Sequence, residues 1–194
     1  MGGAIVDKMT LAFIKSDFYR LLGHSPSLRE ILILYVKNEV FRYLVCFRLL
    51  GASKCLIPKW YLKITKKLIG ARRHLQIPQQ VKVGFGLDLV HAIDIVINPT
   101  AIIGNNCNLS QFLNIGTNKG KAAIIGDCVY VGPHVCIVEA VNIGNSAVVG
   151  AGAIVTKDVP ECATVAGNPA KILNYKNAGK FCQYKWDVKN QDNF

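Results

Sequence analysis

The sequence predicts a mainly β protein: a parallel β-helix of hexapeptide repeats preceded by a small α-helical region. Two observations carry that expectation. From Ile77 onward an aliphatic residue returns on a six-residue beat, at Ile77, Val83, Leu89, Ile97, Ile103, Leu109, Ile115, Ile125, Val131, Ile137, Ile143, Val149 and Val155. Glycine often follows the anchor, as at Gly84, Gly104, Gly126, Gly132, Gly144 and Gly150. A beat of six is neither the 3.6 of a helix nor the two of an ordinary strand, and it fits one short strand plus one corner per hexapeptide. Before Ile77 the grammar is different, with apolar residues at helical spacing between capping residues. The division expected is residues 1–75 helical, 76–172 β-helix and 173–194 a tail.

The helical region reads in order. "DKMTLAFIKSDFYRLLG" has helical spacing and ends at Gly23, a suitable C-cap. Ser27 caps a second expected helix, "LREILILYVKNEVFRYLVCFRLLG", which stops at Gly51. Its longest uncharged run, Ile31 to Val36, is far shorter than the ~20 residues of a membrane span. Pro58 opens a third helix with Lys59, Lys63, Lys66, Lys67, Arg72 and Arg73 and no acid, interleaved with Trp60, Leu62, Ile64, Leu68 and Ile69. Residues 58–74 suit an anionic membrane surface, and equally a packed helix with a solvated basic face.

Charge follows the same division. Of the net +11, most resides in residues 1–75, which hold 14 Lys and Arg against 4 Asp and Glu, whereas 76–172 hold 5 against 6 and 173–194 hold 4 against 2. A near-neutral repeat argues against nucleic-acid binding by the β-helix. Seven cysteines (Cys46, Cys55, Cys107, Cys128, Cys136, Cys162 and Cys182) include no CxxC pair, and no signal peptide opens the chain. Both features fit small packed thiols in a cytoplasmic protein. No clustered ligands suggest a metal.

Three hexapeptides make one triangular coil, so 76–172 holds a little over four coils, each burying its aliphatics against the next. The beat slips twice. Two extra residues precede Ile97, at His91, and four precede Ile125, within "GTNKGKAAI". An insertion must loop out at a corner, and loops on a rigid scaffold are where chemistry concentrates.

The run "IIGDCVYVGPHVCIVEAVNIGNSAVVGAGAIVTKDVPECATVAGNPAKIL" resembles the hexapeptide acyltransferases, most specifically in "GAGAIVTKDVP" and "VAGNPAKI". "GLDLVHAIDIVINP" and the helical region look most like the serine acetyltransferase branch and related polysaccharide O-acetyltransferases. The resemblance implies left-handed coils, a homotrimer and acetyl-CoA as acyl donor held along the coils between subunits. It places His91 as the catalytic base that takes a proton from an acceptor hydroxyl, a task suited to an imidazole titrating near neutrality. It places Gly132 and Ala151 along the pantetheine, and Thr156, Lys157 and Lys171 toward the nucleotide. Small residues beside exposed amides suit an extended chain, and lysines suit phosphates. His134 reads as structural or pocket-shaping.

The departures from true serine acetyltransferases bear on the acceptor. Gln76 stands where that branch has the aspartate paired with the histidine. Val90 replaces the aspartate before the histidine, and the second loop carries Lys121 and Ala122 near the places of a serine-binding Arg-His pair. Asp88 and Asp94 both lie near His91 in sequence, and neither is selected. The expected acceptor is therefore a saccharide hydroxyl of surface-polysaccharide synthesis. L-Serine is the alternative, and a non-catalytic trimeric scaffold a third reading. A metalloenzyme on such coils needs three converging histidines, and the repeat offers only His91 and His134. The basic helices suit a cytoplasmic enzyme at the inner membrane face.

Overall fold

The computed structural model describes residues 5–188. Four helices come first. Helix α1 (Lys8–Leu22) is capped by Asp7, which accepts from the Thr10 amide at 2.8 Å, and closes at Gly23 in the left-handed conformation. Helix α2 (Leu28–Lys37) opens on a reciprocal capping box between Ser27 and Glu30. The single helix expected from Leu28 to Leu50 is instead two. Asn38 adopts extended backbone, ends α2, and accepts from the Phe41 amide at 2.9 Å to start α3 (Glu39–Leu50). An asparagine just before an acidic residue satisfies the orphan amides of a new helix, which outweighs continuous apolar spacing. Helix α4 (Lys59–Arg73) ends at His74, again left-handed.

The β-helix follows as five coils. The first is β1 (Leu75–Gln76), β2 (Lys82–Val83) and β3 (Asp88–Val90); the second is β4 (Ile95–Ile97), β5 (Ile102–Ile103) and β6 (Asn108–Ser110). The third is β7 (Asn114–Gly116), β8 (Ile124–Ile125) and β9 (Tyr130–Val131), and the fourth β10 (Cys136–Val138), β11 (Asn142–Ile143) and β12 (Val148–Val149). The fifth is β13 (Ile154–Val155), a bridge from Val159 to Ile143, and β14 (Thr164–Ala166). All pairings between coils are parallel and in register, Leu89 under Leu109 under Val131 under Val149 on one face. The fifth coil extends beyond the little over four expected. Val155 to Val159 is a four-residue step, so the beat is lost there while the coil continues. β15 (Lys171–Asn174) then turns back antiparallel on β14 and closes the stack. The coils are left-handed, as in the solved structures they match.

Twelve of the thirteen anchors are buried, and Val83, in the first coil, is half-buried. The open N-terminal end of this core is stoppered by helices: Tyr43, Leu44 and Phe47 of α3 and Ile69 of α4 join the same apolar cluster. A buried polar network ties α1 and α3 to the first coil. Arg48 makes a two-pronged ion pair with Asp17 at 2.9 Å and donates to the Val83 and Gly84 carbonyls at 2.8 and 2.7 Å. Asp17 also accepts from the Leu87 amide at 2.9 Å. Burial pushes the Asp17 carboxyl up against the pull of Arg48. The tail runs back along the β3–β6–β9 face, where Trp186 and Asn106 exchange two hydrogen bonds and Phe181 stacks on Tyr130. Trp186 also packs edge-on against Tyr19 of α1, so these tail aromatics settle on their own chain; Phe194 lies outside the described residues.

Candidate active site

Strand pairing locates the first slip. Val90 pairs with Ser110, and Val96 with Asn114, so four residues (91–94) turn the corner in the first coil where two (Gln111, Phe112) turn it in the second. The extra pair makes a bulged corner, and His91 is its first residue, exposed and left-handed at φ 51°. A left-handed histidine is a strained placement that the surrounding backbone must hold. Its imidazole lies at the rim of a cleft of about 310 Å³ between the helices and the first coil, with Leu21, Phe41, Leu44 and Arg73 on the helical side.

Neither neighbouring carboxylate is spent on His91. Asp94 is engaged by His74, Nδ1 to Oδ1 at 2.7 Å. Asp88 lines the same cleft but accepts from Asn108 Nδ2 at 2.9 Å and lies near Arg20, and burial raises its pKa. Gln76 pairs with Val96 on β4 and faces outward toward α4. Among the described residues no carboxylate hydrogen-bonds the His91 ring.

The same edge of the prism carries a ladder that sequence reasoning missed. His74, Asp94, Phe112, His134 and Gly152 all take positive φ at equivalent corners of successive coils. Phe112 donates its amide to Ile93, His134 to Gln111 and Gly152 to Pro133 in the coil before, whereas Asp94 and His74 donate to Arg73 and Gly70 of α4. His134 stacks on Phe112, centroids 4.3 Å apart and 13° from parallel. A structural or pocket-shaping role fits that contact. Ser110, directly above Val90, is also new: its hydroxyl is buried with no hydrogen-bond partner among the described residues. The signal that could have found both is the register, once the insertion is assigned to one corner.

Further along this edge Gly132 and Ala151 meet, since a Cβ on Gly132 would lie 2.8 Å from the Ala151 amide. Thr156 and Lys157 are exposed at the following corner, and Lys171 is exposed on β15. Within one chain these residues do not converge on His91, which lies two coils from Gly132. The second insertion also falls elsewhere, at the corner between β7 and β8. There Thr117 and the Asn118 amide donate to Glu139 at 2.7 and 3.2 Å, and the Thr117 hydroxyl holds the Glu139 carboxyl below its usual range. Lys121 is exposed in that loop, and the Ala122 amide donates to Thr100 at 2.8 Å. The two insertions thus sit on different edges. Among the described residues no group of three or more His, Cys, Asp or Glu is placed to hold a metal ion, and all seven cysteines are free thiols.

No protein-family model matches the chain. It is 42% identical over 103 residues to the mitochondrial serine acetyltransferase 3 of Arabidopsis thaliana, a match covering 51% of this chain but only 26% of that relative. It is 26% identical over 192 residues to a serine acetyltransferase of Bacillus licheniformis, covering 95% of this chain and 85% of the relative. Among solved structures it matches Neisseria gonorrhoeae serine acetyltransferase in complex with serine, at TM-score 0.66 and 27% identity over 85% of this chain and 69% of that one. Soybean serine acetyltransferase complexed with serine matches in fold at TM-score 0.71, with 24% identity over 86% and 70% of the two chains. The chain has the fold of a hexapeptide-repeat, left-handed β-helix, and the relatives it matches in sequence and in fold are serine acetyltransferases.

Proposed function

We propose that this chain is an acetyl-CoA-dependent O-acetyltransferase in which His91 is the general base. The observation that carries the reading is the bulged corner, which breaks a regular coil at one place and puts an exposed imidazole there beside a cleft. In the reaction the acceptor oxygen attacks the thioester carbonyl carbon while His91 accepts the hydroxyl proton. The carbon–sulfur bond then breaks, and the CoA thiolate leaves and takes up the proton. Gly132 and Ala151 offer a side-chain-free track for pantetheine, and Thr156, Lys157 and Lys171 a polar and cationic end for the nucleotide. Because these groups are dispersed on one chain, the reading requires a homotrimer whose neighbouring subunits complete each site. A cytoplasmic location, where acetyl-CoA is available, goes with it.

L-Serine is the acceptor the relatives support, and the expectation of a saccharide gives way to it. The saccharide retains two observations in its favour. Gln76 supplies no carboxylate to the histidine, and the second loop presents Lys121 and Ala122. CoA release from acetyl-CoA with L-serine, compared with a panel of mono- and oligosaccharides, separates the two. Serine-dependent release supports the main reading; release only with a saccharide transfers the acceptor; a chain that binds no acetyl-CoA is a scaffold.

A further inference from the structure

We propose that the outer face of α2 and α4 docks on an anionic lipid bilayer. Helix α4 packs inward through Leu62 and Ile69. Outward it shows two adjacent stripes, each repeating every fourth residue. One is Lys59, Lys63 and Lys67, all exposed. The other is Trp60, Ile64 and Leu68, which are 67%, 52% and 66% exposed. Helix α2 repeats the apolar stripe as Leu28, Leu32 and Val36, at 64%, 65% and 70%. The two stripes form one patch, because Val36 and Leu68 line a common groove with Tyr61, and the Tyr35 and Tyr61 hydroxyls meet at 3.2 Å. Large apolar side chains left in water at helical spacing mark a binding face.

Charge selects the occupant. Helix α4 carries six cations and no acid. The acids of the neighbouring helices are already engaged: Glu39 by Arg72 and Arg73, and Glu30 by Ser27 and His24. On the far flank of the lysine stripe, a groove of about 740 Å³ between α4 and the first coil is lined by Lys59, Lys63, Lys66 and Lys67 over Tyr43 and Leu75. It has room for an anionic headgroup. Apolar side chains that enter the acyl boundary beside lysines that reach phosphates are the pattern of an interfacial helix, with a tryptophan at the level where its ring is best placed. A second copy of the same face would bring lysines against lysines. A nucleic acid would leave the leucines against water or phosphate. Among the described residues no helix is long and apolar enough to cross a membrane, so the contact is peripheral.

The full chain is tested by flotation with vesicles of phosphatidylcholine containing 30% phosphatidylglycerol, against phosphatidylcholine alone. Trp60 emission is the second readout, since Trp186 is buried and stays constant. The expected result is binding to the anionic vesicles with a blue shift, weakened on the order of 100-fold by Lys59→Gln/Lys63→Gln/Lys67→Gln at the rate expected for three juxtamembrane lysines. Trp60→Ser/Leu68→Ser should weaken flotation with the anionic vesicles while leaving far-UV circular dichroism unchanged. Equal binding to both vesicle types, or binding that the lysine variant retains, overturns the proposal. So does a chain that ignores vesicles but whose oligomer dissociates on Trp60→Ser/Leu68→Ser, which assigns the face to a second copy. None of these outcomes depends on the acetyltransferase reading.

Discussion

The two halves of this molecule bury their apolar residues by opposite means. In the β-helix each coil presents an aliphatic anchor to an identical neighbour, and the core is complete along its length. In the helical region α3 is buried on nearly every side, while α2 and α4 keep leucine, isoleucine, valine and tryptophan in water. Repetition makes a core that is self-sufficient except at its ends. A short bundle of dissimilar helices closes one of those ends and has an apolar face left over. The proposed base sits where the two systems meet, since His91 lies on the first coil at a cleft whose other wall is helical.

The junction is the place to break the comparison most severely. Asp17→Ala leaves Arg48 buried and uncompensated, and the expected loss is about 3–5 kcal/mol in denaturant unfolding. If the halves are one cooperative unit, both should melt together in the variant; a separate helical transition would show that the network is dispensable to the coils.

Within the β-helix Gly104 is among the tightest points. A Cβ there would lie 2.4 Å from Asp127 Oδ1 and 2.6 Å from the Gly126 backbone carbon, in the next coil. Gly104→Ala should cost about 1–3 kcal/mol, read from the shift of the denaturant midpoint. In the helices a comparable single change is milder. Asn38→Ala removes the cap that starts α3 and should cost about 1 kcal/mol by the same measurement.

The smallest effect concerns pH. Burial holds the Lys66 ammonium down to about 8, although it donates to the Ile77 carbonyl at 2.8 Å and lies over the Tyr43 and Phe47 rings. The folded pKa is below that of an unfolded lysine, so the unfolded chain binds more protons between about pH 8 and 10, and stability rises with pH across that window. Lys66→Met should abolish this rise, and the difference in unfolding midpoint between wild type and variant, followed from pH 7.5 to 9.5, should change accordingly.

Legibility differed between the halves for a physical reason. A six-residue beat determines which side chains point inward, so the fold, the buried anchors and the corner at His91 could be read without coordinates. What a beat cannot carry is contact across coils or between segments distant in sequence. The pairing of Asp94 with His74, the turn of Asp88 toward Arg20, and the stack of His134 on Phe112 depend on register and on helix packing. The fifth coil was hidden because its middle step is four residues long. The break at Asn38 was hidden because apolar spacing runs through it, and only the local competition for amide hydrogens reveals it. The separation of the residues proposed for acetyl-CoA, with Gly132 and Ala151 meeting on one edge and Lys171 on β15, also depends on register.

The most direct test of the account is acceptor-dependent CoA release from acetyl-CoA by wild type and His91→Asn, with acetyl-CoA binding measured alongside. The account predicts release by the wild type, a fall of about 10²–10⁴-fold in the variant, and unchanged acetyl-CoA affinity. A variant that releases CoA at the wild-type rate would contradict it, because the bulged corner would then hold no base.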